Sequence, residues 1–117
     1  MIPQNLVVIE SPYAGDIETN VTYAREAMAD CIRRGELPFA GHLLYPQPGI
    51  LREEVQEERQ AGIEAHIAWG LRASKAVFYI DRGVSSGMKQ AHTRYLQYGV
   101  PIEYRSLRGA IPQELMN

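Results

Sequence analysis

The chain has 117 residues, of which 45% are hydrophobic and 22% are charged, and this composition predicts one soluble globular domain with its own core. The formal net charge of −2, without a block of Lys or Arg, excludes a basic surface for nucleic acid. The apolar runs are too short to span a membrane, and the first residues lack the pattern of a signal peptide. The single cysteine, Cys31, excludes an internal disulfide, so we expect a cytoplasmic protein in which this side chain is buried and inert.

The segment NLVVIESPYAGD, residues 5–16, predicts a buried strand, a tight loop and the start of a helix. Leu6 to Ile9 are consecutive apolar residues, three of them β-branched, as in strands buried on both faces. The loop from Ser11 to Gly15 contains proline and glycine, which cannot continue such a strand. Asp16 is a suitable N-cap for a helix that begins at Ile17, and the free N–H groups of that helix could hold a phosphate. An ordinary strand-to-helix connection without a ligand has the same pattern.

The first predicted helix runs from Ile17 to Arg34, and Gly35 after it is a suitable residue for a helix C-terminus. A second strand is predicted from Leu37 to Leu44, and YPQPG, from Tyr45 to Gly49, predicts a loop. The residues expected on the inward face of the first helix are Ile17, Val21, Ala24, Met28 and either Cys31 or Ile32.

Arg52 to Ala73 predict the second helix, whose first turns carry glutamates that we expect to form a solvated acidic face. Arg59 lies on the same helical line as the apolar residues, where its charged end extends to solvent, pairs with a carboxylate or clamps an anion. The glutamates are Glu53, Glu54, Glu57 and Glu58, and the apolar residues of the inward face are Val55, Ile63, Ile67 and Leu71.

Lys75 to Asp81 predict the third strand, which is followed by a loop of mostly small residues from Arg82 to Gly87. A third helix is predicted from about Ser86 to Tyr98, and a fourth strand from Pro101 to Arg105. The tail from Ser106 to Asn117 has no clear period, so it is either a short helix or an arm packed on a neighbouring subunit. The inward face of the third helix is predicted to be Met88, Ala91, Tyr95 and Tyr98.

Strands and helices alternate along the whole chain, and this order predicts an α/β fold with a mostly parallel sheet of four to five strands. Helices cover both faces of such a sheet, and ligands bind at the carboxyl ends of its strands. The segments Ser11–Gly15, His42–Pro46 and Asp81–Gly87 follow the first three strands, so we expect them to form a small-molecule site together.

Two kinds of chemistry suit this edge of the sheet. A nucleotide or sugar phosphate would use the loops at Ser11 and Ser85–Ser86 to hold its anionic groups and Tyr13 or Tyr45 as a stacking surface. A glycosyl-transfer enzyme would need a positioned carboxylate in addition.

Asp81 is the carboxylate that the sequence offers for that purpose, and it is a catalytic group, an acceptor for a ribose hydroxyl or a helix cap. His42 is either a hydrogen-bonded structural residue or a general base. His66 and His92 have no partner at metal-ligand spacing, so we expect no zinc. A Ser-His-Asp mechanism is disfavoured because no G-x-S-x-G motif is present.

The segments SPYAGDIETNV, PFAGHLLYPQ, EERQAGI and GVPIEYR, with the loop Ser85–Met88, resemble small uncharacterised phage and bacterial proteins related to the nucleoside 2-deoxyribosyltransferases. The resemblance extends from about Leu6 to Arg105. It implies a flavodoxin-like (Rossmann-like) three-layer sandwich, a nucleotide or nucleoside pocket, and homo-oligomers whose subunits complete each other's sites. The residues that match the first pocket loop are Ser11, Tyr13, Gly15 and Asp16, and His42 matches the second.

The resemblance includes one departure that bears on activity. The transferases carry an acidic-Ser-Gly-Thr loop and, four residues after its glycine, a nucleophilic glutamate. Counted from Gly87, that glutamate position holds Ala91, and the acidic position of the loop holds Ser85. Alanine cannot act as a nucleophile, so the resemblance implies that the pocket is kept while the covalent chemistry is lost.

The sequence therefore predicts a protein that binds a nucleotide-like or ADP-ribose-like molecule, for example a phage protein that sequesters a host nucleotide signal. The alternative is an N-glycosidase or 2-deoxyribosyltransferase that uses Asp81 or a carboxylate from a neighbouring subunit, and a structural subunit with an empty pocket is a third interpretation. We expect no metal, cofactor, nucleic acid or membrane partner. The predicted ligand-binding residues are Ser11, Pro12, Tyr13, Gly15, Asp16, Asn20, His42, Tyr45, Arg59, Asp81, Ser85, Ser86, Gly87 and Met88.

Overall fold

The computed structural model describes residues 5–109. Within them no helix is both long and apolar enough to cross a membrane. A short 3-10 helix, Gly41–Leu43, follows the second strand. The other elements, in chain order, are β1 (Leu6–Glu10), α1 (Ile17–Arg33), β2 (Leu37–Phe39), α2 (Gln56–Gly70), β3 (Lys75–Tyr79), α3 (Ser86–Gln97) and β4 (Ile102–Arg105).

The four strands form one parallel sheet in the order β2-β1-β3-β4, which confirms the predicted α/β class. The chain passes from β1 outward to β2 and then crosses back over β1 to reach β3. Because such crossovers are right-handed, α1 covers one face of the sheet, and α2 and α3 cover the other. The strand order reverses between β1 and β3, the place where crevices form at the carboxyl edge of such sheets.

Each face of the sheet carries its own apolar core, because successive side chains of a strand point to opposite faces. Val7 and Ile9 of β1 pack with Tyr23 and Ala27 of α1. Val8, between them, packs on the opposite face with residues of α2 and α3. Cys31 is fully buried on the α1 side, as the sequence predicts.

The predicted inward face of α1 was partly wrong. Ile17 lies at the exposed start of the helix, whereas of the two alternatives Cys31 is the buried one and Ile32 is 59% exposed. The helix is rotated so that the Tyr23 hydroxyl reaches Asp81 and the Asn20 amide reaches the loop before the helix. The buried residues of α1 are Asn20, Tyr23, Ala24, Ala27 and Cys31.

Two predicted elements are much shorter in the structure, and the third strand ends at Tyr79 and not at Asp81. The second strand ends at Phe39 and not at Leu44, because the Gly41 N–H donates to His66 Nδ1 and not to a neighbouring strand. The second helix begins at Gln56 and not at Arg52, since Val55 has an extended backbone (φ −97°, ψ 114°).

The predicted inward face of the third helix is wrong at one residue. Met88, Ala91 and Tyr95 of α3 are buried as predicted, but Tyr98 is 65% exposed because the helix ends at Gln97. Residues 106–108 follow β4 and donate hydrogen bonds to the carboxylate of Asp81. Residues 110–117, most of the predicted tail, lie outside the described residues.

Candidate functional site

A cavity opens at the carboxyl edge of the sheet, beside the end of β1 and below the N-terminal halves of α2 and α3. Its walls come from the loop after β1, from the connection between β2 and α2, from α2 itself, and from the loop and first turn of α3. The residues that line it are Glu10, Ser11, Tyr13, Ala14, Gly41, His42, Pro46, Leu51, Glu53, Glu58, Arg59, Gly62, Ile63, His66, Ser85, Gly87 and Met88.

The inner end of the cavity holds a carboxylate, that of Glu10, whose residue is only 4% exposed. Its Oε2 accepts a hydrogen bond from Tyr95 Oη at 2.7 Å and lies 2.5 Å from His66 Nε2. Its Oε1 accepts no hydrogen bond from any described residue, and no fully buried side-chain N or O among those residues lacks a partner. Oε1 therefore contacts the open space of the cavity.

The hydrogen bonds of His66 fix the position of its proton. Its Nδ1 lies 2.8 Å from the backbone nitrogen of Gly41, whose N–H can only donate. Nδ1 must then accept, so the ring is neutral and its proton is on Nε2, directed at Glu10. The close approach requires glycine at position 41, because a Cβ there would lie 2.5 Å from Nδ1 and 2.6 Å from Cβ of His66.

Tyr95, the second donor to Glu10, also depends on a glycine. A Cβ at Gly70, the last residue of α2, would collide with the hydroxyl and ring of Tyr95. Burial is the main reason that the pKa of Tyr95 is raised, and the nearby charge of Glu10 adds to the shift. Tyr95 therefore keeps its proton and donates it to the carboxylate.

A serine and a histidine pair beside the carboxylate. Ser11 Oγ lies 2.7 Å from His42 Nε2, and the His42 ring meets the His66 ring edge to face at 5.5 Å. Burial, and to a smaller extent His66, lowers the pKa of His42 to about 3. His42 is therefore uncharged near neutral pH, and the pair offers neutral hydrogen-bonding groups rather than a strong base.

The outer part of the cavity carries two ion pairs. Arg59 Nε lies 3.0 Å from Glu53 Oε2, and Arg52 Nη2 lies 2.6 Å from Glu58 Oε2. The Arg59 side chain is 39% exposed, so this end is open to solvent while the Glu10 end is closed. Burial raises the pKa of Glu53, although Arg59 opposes the shift.

The loop between β1 and α1 is held by its own hydrogen bonds. The amide of Asn20 donates to the carbonyl oxygens of Tyr13 and Ala14, and its Oδ1 accepts from Arg82. Asp16 caps α1 as predicted, through the N–H and hydroxyl of Thr19. Asn20 and Asp16 therefore shape the loop from outside the cavity.

The α3 end of the cavity is built by Ser85, Gly87 and Met88. Ser85 Oγ accepts from the Met88 N–H, which satisfies one free donor at the start of the helix. Ala91, one turn further along, is fully buried in the apolar core and contributes nothing to the lining. Within the described residues, the cavity wall supplied by α3 contains no carboxylate.

Asp81, the carboxylate that the sequence analysis favoured, lies outside this cavity. It faces α1, where its oxygens accept from the hydroxyls of Tyr23 and Ser106 at 2.6 and 2.5 Å. The backbone N–H groups of Leu107 and Arg108 donate to it as well. Burial opposes its ionised form, but these hydrogen bonds outweigh that cost and lower the pKa of Asp81 to about 2.

The predicted residues thus fall into two groups. The cavity brings together Ser11, Tyr13, His42, Arg59, Ser85, Gly87 and Met88, whereas Pro12, Gly15, Asp16, Asn20, Tyr45, Asp81 and Ser86 do not line it.

Sequence reasoning missed the two residues at the closed end, Glu10 and His66. Glu10 fell between the predicted strand and loop, yet it ends an apolar strand two residues after Val8 and so shares its face. His66 was considered only as a metal ligand. Within residues 5–109 no cluster of three His, Cys, Asp or Glu side chains could hold a metal ion.

Residues 5–105 match a family described as a domain of unknown function, DUF7768. No curated protein sequence matches the chain. The chain is similar to the solved structure of a 2-deoxyribosyltransferase from the psychrotolerant bacterium Bacillus psychrosaccharolyticus, with 19% identity and a TM-score of 0.59. The similarity covers 95% of this chain and 79% of the transferase chain. At this identity it shows a shared fold, which confirms the predicted resemblance at that level.

Proposed function

We propose that this chain, which belongs to the DUF7768 family, binds a nucleoside-like or nucleotide-like small molecule in the cavity at the carboxyl edge of its sheet. The observation that carries the proposal is the composition of the wall at the switch point between β1 and β3. An apolar side formed by Leu51, Ile63 and Met88 suits a base. A polar side with Glu10 and Ser11 suits hydroxyl and amino groups.

Binding without covalent transfer is the form of this function that we favour. Ala91, which the family resemblance aligns with a nucleophilic glutamate, is buried in the core and has no reactive group. Sequestration of a nucleotide-like or ADP-ribose-like signal is the corresponding biological role. The similar fold of a 2-deoxyribosyltransferase supports a nucleoside-related ligand class but not a particular compound.

The second candidate function is an N-glycosidase or 2-deoxyribosyltransferase, and one observation favours it. Glu10 places a carboxylate oxygen on the cavity, where the α3 wall has none. A carboxylate at such a position can act as a nucleophile or stabilise an oxocarbenium ion. In this reading Glu10 takes the role that the sequence analysis gave to Asp81.

One mixing experiment separates these functions. The protein is incubated with nucleosides, their 5′-monophosphates, cyclic nucleotides and ADP-ribose, and then filtered. Chromatography is applied to the filtrate and to the material released from the protein by heat. Depletion of one compound that returns intact on heating supports binding. Free base in the filtrate over several turnovers, lost in Glu10→Gln, supports the enzyme, and no change for any compound refutes both.

A further inference from the structure

The closed and open ends of the cavity differ in what they offer a ligand. At the closed end, Glu10 Oε1 is an acceptor, and the two side chains that contact the other oxygen are uncharged: Tyr95 keeps its proton, and His66 is neutral because the Gly41 N–H donates to its Nδ1. At the open end, Arg59 pairs through its Nε with Glu53, and no other carboxylate among the described residues forms an ion pair with it. A ligand therefore meets an acceptor at the closed end and, at the open end, the remaining N–H donors of Arg59 beside the paired carboxylates of Glu53 and Glu58.

We infer that Glu10 is the specificity-determining residue of the cavity, and that its Oε1 accepts a hydrogen bond from a hydroxyl or amino group of the ligand. The ligand then enters with an uncharged, donor-bearing end first, and any phosphate remains at the open end beside Arg59. This inference rests on the proposed function, since it specifies which part of a nucleoside-like molecule reaches the closed end.

An acceptor such as Glu10 Oε1 requires a hydrogen-bond donor from the ligand. An ionised carboxylate has no proton to donate, so a phosphate or carboxylate of the ligand placed against Oε1 would meet a like charge with no donor between them. A hydroxyl or amino group placed there donates a hydrogen bond to Oε1. Hydrogen bonds to charged groups are among the stronger ones, and a ligand without the donor leaves the carboxylate unpaired.

His66 and Tyr95 act as positioning residues in this arrangement. Both donate to Oε2, so the carboxyl group is held in one rotamer and Oε1 is left for the ligand. Gly41 and Gly70 make room for these two side chains. Glu10 Oε2 is thus fixed by two donors, and each donor is placed by a glycine next to it. A solvated surface carboxylate has no such support.

The test uses Glu10→Gln, whose amide oxygen can still accept from His66 and Tyr95 while its NH₂ replaces Oε1. The variant therefore keeps the internal hydrogen bonds and changes an acceptor on the cavity into a donor. Asp81→Asn is the matched control, because Asp81 follows the neighbouring strand but faces the other side of the sheet. Circular dichroism and thermal unfolding show that each variant is folded before binding is measured.

The parent probe is adenosine. Its analogues are 2′,3′-dideoxyadenosine, which lacks the 2′ and 3′ hydroxyls, and purine riboside, which lacks the amino group; the same series is used for cytidine. Calorimetry gives the affinity ratio of each parent to its analogue. We expect the removal of one of these groups from the ligand to lower its affinity for wild type and for Asp81→Asn by about tenfold or more. In Glu10→Gln the same deletion should cost less than threefold, roughly the weakness of a bond without a charged partner.

The adenosine and cytidine 5′-monophosphates test the orientation. Arg59→Gln should lower the affinity for the monophosphates more than the affinity for the nucleosides. Glu10→Gln should lower both affinities by the same factor. Equal analogue ratios in wild type and Glu10→Gln would overturn the inference while leaving the proposed function standing. A purely structural Glu10 would give that result, with lower stability and unchanged ratios. Failure of every nucleoside and nucleotide to bind wild type would refute the proposed function itself, and this inference with it.

Discussion

Two carboxylates lie at the carboxyl ends of the two central strands, Glu10 as the last residue of β1 and Asp81 two residues after β3, and they point to opposite faces of the sheet. Glu10 ends β1 and Asp81 follows β3, so both lie at the carboxyl edge where a ligand site is expected. Glu10 pairs in register with Phe78, and both share a face with Val8, toward α2 and α3. Asp81 shares the face of Tyr79, toward α1.

Position along a strand and orientation across a sheet are therefore separate requirements for a site residue. Glu10 has one oxygen held by two side chains and one on the cavity. Asp81 has both oxygens occupied by the chain's own hydroxyls and N–H groups, among them those of residues 106–108. We expect the first carboxylate to govern binding and the second to govern the stability of the segment after β4.

The largest effect on stability is expected for Gly41→Ala, which disrupts the support of Glu10. The new Cβ would collide with the base of the His66 side chain, where rotation cannot relieve the overlap. We expect the free energy of unfolding to fall by about 3 kcal/mol, the upper range for overpacking a core. Urea denaturation measures it. Gly109→Ala is the control, since nothing lies near its Cβ, and a similar loss there would contradict the explanation.

Asp81→Asn should have the next largest effect and a distinct pH dependence. The pKa of Asp81 is lowered to about 2 by its hydrogen bonds, so its contribution is present above its unfolded pKa and lost as pH falls toward 2. A shift of about two units corresponds to roughly 2–3 kcal/mol at pH 7. Unfolding of wild type and variant, followed from pH 7 to pH 2, should show curves that converge below about pH 4. Parallel curves would show that Asp81 does not act through its charge.

Glu10→Gln should lower the free energy of unfolding by about 1 kcal/mol, which is less than the loss in Asp81→Asn. The glutamine oxygen still accepts from both donors, and only the charge is lost. The order of the two variants is then opposite for stability and for ligand affinity. Urea denaturation at pH 7 tests the first half of this statement. A loss larger than that of Asp81→Asn would mean that Glu10 serves mainly the fold.

Ser11→Ala should have the smallest effect, below about 1 kcal/mol, because water in the cavity can replace its hydroxyl beside His42. His42 has a pKa of about 3, so ligand affinity should show no titration of this ring between pH 5 and 8. Calorimetry across that range measures it. A step near pH 6.5 in wild type that disappears in His42→Asn would contradict this account of the pair.

The fold could be predicted from the sequence because local patterns agree along the chain. The β-branched run before Glu10, the Asp16 cap and the alternation of elements each lead to the same parallel sheet. Strand and helix ends were less accurate, as at Leu44 and Arg52. Side chains from other parts of the chain accept the backbone N–H groups there: His66 accepts from Gly41, and Glu58 accepts from Arg52.

The site was predicted only in part, for a physical reason. The loops at Ser11, His42 and Ser85 were found because they follow strands, and the cavity brings them together. The pairing of His66 with both Gly41 and Glu10 depends on the rotation of α2 and on a 3-10 turn that no periodicity indicates. The predicted homo-oligomer with shared sites stays a prediction, which sedimentation can test.

The most direct test is an amide NMR titration of the ¹⁵N-labelled protein with adenosine and cytidine. If the cavity beside Glu10 is the binding site, resonances of Ser11, Gly41, Gly62 and Gly87 should shift with one common saturation curve, while Leu107 and Arg108 beside Asp81 stay unchanged. Shifts confined to Leu107 and Arg108 would contradict this account and place binding on the α1 face. The absence of any shift would refute the nucleoside-binding function.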